Sequence, residues 1–377
     1  MAKNNRPDVY KGRRKKLNVL GIVLSVLAVL IVALFVVFGA FQKYIVYENS
    51  GISIDMPILA TEAPEGATDA SGFEQVNAEL EIGEPDYSDI ESRVDEDMGS
   101  VKAIYVPTES VTAEGVTAYV NMLGSAGANG LVLDVKPVSG QLAWASTSQI
   151  ANDYGTVGTT DLASLVSTLK KQDIYLVAQL SCCTDALMAT RCPTAALTTQ
   201  SGVPYSDSDG TWLDPYNSMT ADYLVQLCTE LADMGFDELL LKNLAMPQTD
   251  AALNYTVVLS SVPSPVSAVC GLAMDLTTQL ANKDVLISAI LDTQSLRSGL
   301  SAQSGQDISV FAKLFDRFYC AGDTVWRATV DRDSVDYWMY DGDLSLRFVP
   351  IFPFTGSQTE FSCWVYRVPE ELMVSEQ

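Results

Sequence analysis

The sequence contains no histidine and few basic side chains: 23 lysines and arginines stand against 47 aspartates and glutamates in 377 residues, a net charge of −24. The lack of histidine excludes Ser-His-Asp and Cys-His catalysis, imidazole general bases and histidine-ligated zinc. Glycine-rich phosphate loops and calcium-binding loops are also absent by pattern. Any chemistry must rest on carboxylates, lysine, tyrosine, cysteine or a bound cation, and no motif calls for a cofactor or a metal site.

Positive charge is especially scarce outside the N-terminal region. Residues 1–43 hold eight basic side chains and one acid, so the rest of the chain carries 15 basic and 46 acidic side chains, a net charge of −31. Such a surface repels phosphate backbones. We therefore expect no nucleic-acid partner.

The seven cysteines are odd in number and include no Cys-x-x-Cys pair of the kind that binds metals. Two readings stay open. Cys182 or Cys183 forms a bridge to Cys192 in an oxidising compartment, or the cysteines serve as small buried apolar side chains.

One long apolar run is present, at residues 19–38, which have no charged side chain and Ser25 as the one polar residue. Its length matches the ~20 residues that cross the hydrocarbon layer as a helix. Because basic residues precede it, residues 1–17 are expected to form a cytoplasmic tail. No small-x-small cleavage site follows. We predict an uncleaved signal-anchor over residues 18–42, a single-pass membrane protein with an extracytoplasmic C-terminal part; a buried core helix is the less favoured alternative.

An acidic segment follows this run. Residues 47–99 contain 15 acids and one base, Arg93. Like charges at this density cannot bury a core, so we predict a largely disordered stalk over residues 43–99. The stalk is either a spacer across a wall or periplasmic layer or a simple tether, and the sequence leaves both open.

From residue 100 onward, short apolar runs alternate with amphipathic segments. The predicted strands are 101–106, 130–136, 173–180, 238–243, 284–291, 317–320, 335–340 and 346–354. Helical spacing predicts three helices near residues 116, 162 and 224, and Ser264-Pro265 opens a fourth. This alternation predicts an α/β fold, a TIM-like (β/α) barrel over residues 100–377. Short spacings in the last third predict an irregular C-terminal part.

Five stretches resemble a glycoside-hydrolase (β/α)-barrel family of otherwise unassigned function. They are VKAIYV at 101–106, NGLVLDVKPVSG at 129–140, IYLVA at 174–178, WLDPY at 212–216 and GFDELLLKNLAMP at 235–247. The likeness covers roughly residues 101–350, with matching order and spacing. It implies a barrel that acts on or binds glycan, such as a cell-wall polysaccharide.

The chain departs from this family at the end of the fourth strand. Lys242 stands where the family has an aspartate, Ala245 stands where it has an arginine, and Gln179 replaces an arginine after the third strand. Three other polar positions match the family: Asp134, Lys136 and Asp185. The resemblance therefore implies a glycoside hydrolase with a weakened catalytic motif, and whether catalysis survives stays open.

Glycoside hydrolysis usually needs two carboxyl groups, and a parallel barrel presents its reacting groups at the C-terminal ends of its strands. The catalytic candidates so placed are Asp134, Asp185 and Asp292, with Asp323 or Asp341 as further alternatives. Two-residue spacing predicts that Asp134 and Lys136 face the same side as an ion pair, either structural or catalytic. Asp292 also reads as a helix cap. A nearby Lys242 ammonium is expected to lower the pKa values of these acids, which opposes a general-acid role.

The candidate substrate-binding residues are Lys136, Lys242, Asn243, Trp144 and Trp212. The two tryptophans offer flat faces for sugar rings, although each alone serves packing more often. By contrast, Asp237 and Glu238 precede the fourth strand, at the N-terminal end of the barrel, where acids mostly serve stability.

Three functions are compatible with these residues. The first is an anchored glycosidase, and the second is a non-catalytic barrel that binds glycan or acts as a cell-envelope scaffold. Lys242, Ala245 and Gln179 favour the second. The third is an assembly factor that works through its stalk and membrane helix.

Overall fold

The computed structural model describes residues 45–48, 51–54, 90–92, 94–95, 98–256, 264–322, 324–339, 343–354 and 361–369. The chain divides into two compact units, Met1–Leu80 and Glu81–Gln377. The predicted signal-anchor lies outside the described residues, and so does most of the predicted stalk. Among the residues that are described, no helix has the length and apolar character needed to cross a membrane.

The first unit contains a short hairpin within the predicted stalk. Strands β1 (Ile45–Glu48) and β2 (Gly51–Ile54) pair in antiparallel fashion, with Glu48 opposite Gly51. The predicted disorder of the stalk as a whole stays a prediction.

The second unit is built on a closed barrel of eight strands. They are β3 (Lys102–Val106), β4 (Gly130–Lys136), β5 (Tyr175–Ser181), β9 (Glu238–Lys242), β11 (Leu286–Ile290), β12 (Arg317–Ala321), β13 (Phe348–Pro353) and β14 (Trp364–Arg367). Each strand pairs in parallel with the next in this order, and β14 pairs with β3 to close the ring. The predicted TIM-like barrel is confirmed.

Four two-residue strands decorate the loops of the barrel. They are β6 (Thr198–Thr199), β7 (Ser206–Asp207), β8 (Gly210–Thr211) and β10 (Leu253–Asn254). Strand β7 pairs with β8 as a hairpin in the loop after β5, and β6 pairs with β10 from the loop after β9.

Nine α-helices occur in the described part of the chain. They are α1 (Gly115–Ala126), α2 (Gln149–Asp153), α3 (Leu162–Lys170), α4 (Ala186–Arg191), α5 (Ser218–Met234), α6 (Pro265–Gln279), α7 (Thr293–Ser298), α8 (Ile308–Leu314) and α9 (Val325–Met339). The four predicted helices are confirmed as α1, α3, α5 and α6. Helix α6 begins at the predicted Pro265, where Ser264 Oγ accepts the Ser267 N–H at 3.2 Å.

Alternation along the strands separates two layers of the core. Val132, Val177, Leu240 and Val365 pack together inside the barrel. The residues between them face outward and pack against the helices, as Leu131 does with the apolar stripe of α1. Strands that are buried on both sides account for the continuous apolar runs in the sequence.

The predicted strand at residues 335–340 is wrong, because these residues belong mostly to helix α9. The buried side chains of α9 are Ala328, Asp331 and Val335, which recur at helical spacing. Arg327 Nε lies 3.0 Å from Asp331 Oδ2, one helical turn away. Strand β14 completes the ring instead. The ring of eight strands is therefore complete, and the irregular part of the C-terminal third lies in its helices, where two short ones, α7 and α8, follow β11.

The N-terminal end of the barrel holds a buried polar network around Glu238. Arg317 Nη1 lies 2.5 Å from Glu238 Oε2, while Tyr175 Oη and Ser288 Oγ donate to the same carboxylate at 2.9 and 2.6 Å. Nearby, Asp237 pairs with the Lys170 ammonium at 2.6 Å. Both acids join structural elements, as predicted from their place before the fourth strand.

All seven cysteines lie in the described part of the chain, and all are buried and free. The bridge from Cys182 or Cys183 to Cys192 does not form. Cys192 Sγ instead contacts the sulfur of Met219 at 3.3 Å. The cysteines pack as small apolar side chains.

Candidate active site

Asp134 lies near the C-terminal end of β4, at the end of the barrel where all eight strands finish; this end is called the barrel mouth below. The residue is 7% exposed. Its Oδ2 accepts a hydrogen bond from Tyr105 Oη of β3 at 2.7 Å. Its Oδ1 is buried and has no hydrogen-bond partner among the described residues. One oxygen of a buried carboxyl group is therefore held by the Tyr105 hydroxyl, and the other has no well-formed hydrogen bond among the described residues.

The charge environment of Asp134 has two opposing parts. Burial raises the pKa of Asp134, whereas the Tyr105 hydrogen bond and the positive charges of Lys242 and Arg367 lower it. The burial effect is the larger, so the net shift is upward. The predicted effect of Lys242 is present, but the conclusion drawn from it was wrong because desolvation outweighs it. A raised pKa is what a proton-donating carboxyl group requires.

Tyr105 and Gln179 complete the surroundings of Asp134. Burial and the adjacent Asp134 charge raise the pKa of Tyr105, so the phenol stays protonated and can donate. The Arg367 guanidinium lies 5.1 Å from the centre of the Tyr105 ring. Gln179 stands opposite Asp134 in the strand register and helps to lower its pKa, but its Nε2 lacks a well-formed hydrogen bond.

The predicted ion pair between Asp134 and Lys136 does not form. The register of β4 against β5 shifts between these two residues, so the two-residue rule fails there. Lys136 Nζ instead lies 2.9 Å from Asp185 Oδ2 and donates to the Ser181 carbonyl at 2.6 Å. It also lies 5.6 Å from the centre of the Tyr223 ring of α5. Lys136 thus points toward the helical layer.

Asp185 is fully buried and serves as the N-cap of α4. Its Oδ1 accepts the Met188 N–H at 2.7 Å, and its Oδ2 pairs with Lys136. Gly140 packs so closely that a Cβ at this position would collide with the Asp185 carboxylate. Since Asp185 and Lys136 both have side chains without solvent exposure, the structure places neither where it could touch a glycan.

A cleft of about 490 Å³ opens at the barrel mouth, between the β7–β8 hairpin and the ends of β9, β11 and β12. Its polar lining includes Asp207, Asp209, Trp212, Asn243, Asp292 and Gln306. Three of the sequence-predicted site residues therefore meet in one cavity, namely Trp212, Asn243 and Asp292. Asp134 lies outside this lining. The positive charge of Lys242 lowers the pKa of Asp134, and Lys242 directly precedes Asn243, which lines the cleft.

Asp292 both lines the cleft and caps helix α7. Its Oδ1 accepts the N–H groups of Gln294 and Ser295 at 2.7 and 2.9 Å. Its Oδ2 accepts the Ser295 hydroxyl at 3.0 Å and a further hydrogen bond from the Ser304 hydroxyl. The alternative reading of Asp292 as a helix cap is therefore confirmed, and its carboxylate is half-buried at the edge of the cleft.

The two predicted tryptophan platforms differ in position. Trp144 is 1% exposed, and its Nε1 donates to Glu230 Oε2 of α5 at 3.0 Å, away from the cleft. Trp212 lines the cleft with 3% exposure, and its Nε1 has no acceptor among the described residues. Asn243 adopts a left-handed backbone (φ 52°) and donates from Nδ2 to Thr184 Oγ1 at 2.6 Å.

Sequence reasoning missed four residues of the mouth and cleft: Tyr105, Arg367, Asp207 and Asp209. Tyr105 carried a usable signal, since it occupies the last inward position of a predicted strand. Arg367 lies in β14, which was not predicted. The two aspartates lie in a loop hairpin whose position over the mouth is a tertiary feature.

Comparison with known proteins identifies the family of the chain and structures with a similar fold. A family model described as "Putative glycosyl hydrolase domain" matches residues 103–319, more than half of the chain. No curated protein matches the sequence. The PgaB (BpsB) glycoside hydrolase domain from Bordetella bronchiseptica is similar over 74% of this chain and 96% of its own, with 12% identity and a TM-score of 0.54.

Two further solved structures are similar at lower scores. A hypothetical protein from Ruminiclostridium thermocellum ATCC 27405 is 22% identical over 49% of this chain and 96% of its own, with a TM-score of 0.44. The α-galactosidase TtGalA from Thermus thermophilus is 11% identical over 76% of this chain and 61% of its own, with a TM-score of 0.45. At such identities, similarity to a solved structure concerns the fold alone.

Proposed function

Since the chain belongs to this glycosyl hydrolase domain family, we propose that it binds and hydrolyses glycan at the barrel mouth, with Asp134 as the proton-donating group. The observation that carries the proposal is the state of Asp134. It is a buried carboxyl group with a raised pKa and one free oxygen, at the end of a barrel strand. Reacting groups of TIM-like barrels occupy this position.

The geometry gives each group a role in that reaction. As the glycosidic bond breaks, protonated Asp134 gives its proton to the leaving oxygen, which departs as a neutral hydroxyl. A water molecule bonds to the anomeric carbon and gives up its proton to the second carboxylate. Tyr105 holds Oδ2, and Oδ1 has no well-formed hydrogen bond among the described residues, so Oδ1 is the oxygen proposed to carry the proton. The cleft holds the sugars on one side of the bond, and Asp292 at its edge is the second carboxylate of the proposal.

A second candidate function, glycan binding without turnover, is favoured by one observation. The two oxygens of Asp292 accept four hydrogen bonds from α7 and the adjoining loop. A carboxylate whose lone pairs are used in this way suits a structural cap better than a nucleophile or a base. In this case Asp134 has no second carboxylate in Asp292 to work with, and the protein retains its substrate without cleaving it.

The site is proposed to act outside the cytoplasm. The apolar run at residues 19–38 and the basic residues before it support a signal-anchor, and the −31 net charge of the remaining chain suits a soluble domain near a cell surface. The proposed substrate is accordingly a cell-wall or environmental glycan.

The test is turnover by the full-length protein, purified in detergent, on a panel of glycans that includes peptidoglycan. The proposal expects release of new reducing ends by the wild type and loss of that release in Asp134→Asn. The matched control is Asp275→Asn, since Asp275 is exposed on α6. Release that survives Asp134→Asn contradicts the assigned role. Saturable binding without release in the wild type supports the second candidate.

A further inference from the structure

The charge of the cleft is one-sided. Asp207, Asp209 and Asp292 line it, and no lysine or arginine does so in the described part of the chain. The undescribed residues after position 256 include no lysine or arginine either. A concave site with acids and no bases concentrates cations and repels anions.

The two acids of the β7–β8 hairpin are available to a ligand. Asp209 lies exposed on the turn. Asp207 uses Oδ1 to accept the Asp209 N–H at 2.9 Å, which leaves its Oδ2 toward solvent or ligand. Asp292 also lines the cleft, and its hydrogen bonds come from neutral donors.

A second, independent feature of the cleft favours a ligand that is rich in hydroxyl groups. Trp212 is 3% exposed, lines the cleft, and has an indole N–H without an acceptor among the described residues. A buried donor without a partner is costly, and the cost is removed when a bound molecule supplies an acceptor oxygen. Sugar hydroxyls are acceptors of this kind. The amides of Gln248 and Gln306 add further polar groups to the same lining.

From these two features we infer that the cleft selects glycans whose sugars carry free amino groups, rather than neutral or N-acetylated ones. A protonated sugar amine would pair with the aspartates, and ring hydroxyls would form hydrogen bonds with Trp212 and the amides of Gln248 and Gln306. The inference rests on the proposed function, since it names the substrate class of the same site. Lys242 does not oppose it, because this lysine is outside the cleft lining and its charge acts on Asp134.

The experiment compares matched pairs of oligosaccharides that differ in acetylation alone. The full-length protein in detergent is titrated by calorimetry with N-acetylated and fully deacetylated glucosamine and galactosamine oligomers. The pH is mildly acidic, so that the amines are charged. Partly exposed ion pairs are individually weak, so three acids together predict about tenfold tighter binding of a deacetylated member. The preference is expected to shrink at high salt.

The variant that tests the mechanism is Asp209→Asn, which removes one charge from an exposed turn and leaves the fold intact. It is expected to weaken binding of the deacetylated oligomer by roughly two- to fivefold and to leave the N-acetylated partner unchanged. Trp212→Phe keeps an aromatic ring, although a smaller one, and removes the indole N–H, so it is expected to weaken binding of both oligomers equally. Asp275→Asn, remote from the cleft on α6, serves as the charge-matched control.

The outcomes separate the inference from the proposed function. Tighter binding of a deacetylated oligomer that is lost in Asp209→Asn supports the inference. Glycan binding that shows no preference for free amines, or a preference that Asp209→Asn leaves intact, overturns the inference and leaves the proposed function standing. Binding of no member of the panel, neutral glycans included, contradicts the proposed function and the inference together.

Discussion

At the scale of single residues, the molecule places its ionisable groups in very different settings. Asp185 is buried with a cation at 2.9 Å, while Asp134 is buried with a phenol and one free oxygen. The first arrangement compensates the charge, and the second leaves it costly. This contrast separates a carboxylate whose charge is compensated inside the fold from one that is a candidate for reaction, without any reference to sequence position.

The cost of keeping Asp134 charged leads to a stability prediction. Burial raises the pKa of Asp134 in the folded state, so the charged carboxylate destabilises the fold at pH values above that pKa. This destabilisation is absent below the unfolded-state pKa of about 3.9, where the group is protonated in both states. Asp134→Asn is therefore expected to raise the free energy of unfolding by about 1 kcal/mol at pH 7 and by much less at acidic pH. Urea unfolding at the two pH values measures this. A variant that is less stable than the wild type at pH 7 contradicts the account.

The Lys136–Asp185 pair predicts the opposite behaviour. Lys136→Met leaves a fully buried carboxylate without its cation, and we expect a loss of about 3–5 kcal/mol in the free energy of unfolding. The combined variant Lys136→Met with Asp185→Asn should recover part of this loss. Lys283→Met, at the exposed pair with Asp233, is the control and should cost less than about 1 kcal/mol. Equal losses in the buried and exposed pairs would argue against this assignment.

At the scale of elements, Glu230 fastens the loop after β4 to helix α5. Its carboxylate accepts the Trp144 indole N–H, the Ser146 hydroxyl, and both the N–H and the hydroxyl of Thr147, at 2.5–3.0 Å. Burial alone raises the pKa of Glu230, but these hydrogen bonds lower it further than burial raises it. One side chain thus orders a loop that has little regular structure of its own.

Replacing this carboxylate is expected to loosen the loop. In Glu230→Gln, hydrogen exchange of the Thr147 amide should accelerate about tenfold, because charge-assisted bonds at a partly exposed site become weaker neutral ones. Because the folded pKa is lowered, the wild-type protection should be present at neutral pH and be lost as the pH falls through that pKa. Unchanged exchange at Thr147, measured beside the α5 amides as reference, would exclude the fastening role.

The elements also mark where sequence reasoning reaches its end. Strand β4 was predicted to the residue, because seven buried positions in a row leave a clear signal. The ion-pair partner of Lys136 was predicted wrongly. A single register shift in β4 reverses the direction of the side chain, and such a shift leaves no trace in the sequence. Residues 335–340 combine aromatic and β-branched side chains that favour strands, yet tertiary packing makes residues 335–339 helical.

At the scale of the whole molecule, the barrel was predictable and its mouth was only partly so. Alternation of apolar runs and helical stripes is spread over many residues, so local errors such as the missed β14 do not alter the fold. The cleft depends instead on a loop hairpin, β7–β8, that folds over strands distant in sequence. The acids of this hairpin, Asp207 and Asp209, belong to no sequence motif. The predicted residues that do line the cleft, Trp212, Asn243 and Asp292, follow strand ends or lie near them.

The distribution of charge and apolar residues along the whole chain predicts membrane attachment. In cell fractionation, the full-length protein should sediment with membranes, resist extraction by high salt and alkaline carbonate, and be released by detergent. A variant without residues 1–42 should appear in the soluble fraction. Release of the full-length protein by salt alone would contradict the predicted signal-anchor at residues 18–42.

The most direct measurement of the central claim is a structure of the protein with an oligosaccharide bound. The account predicts sugar rings in the cleft beside Trp212 and Asn243, with a glycosidic oxygen within hydrogen-bonding distance of Asp134 Oδ1. An oligosaccharide bound elsewhere, such as the groove between α1 and α3, with Asp134 left without a ligand contact, would contradict it.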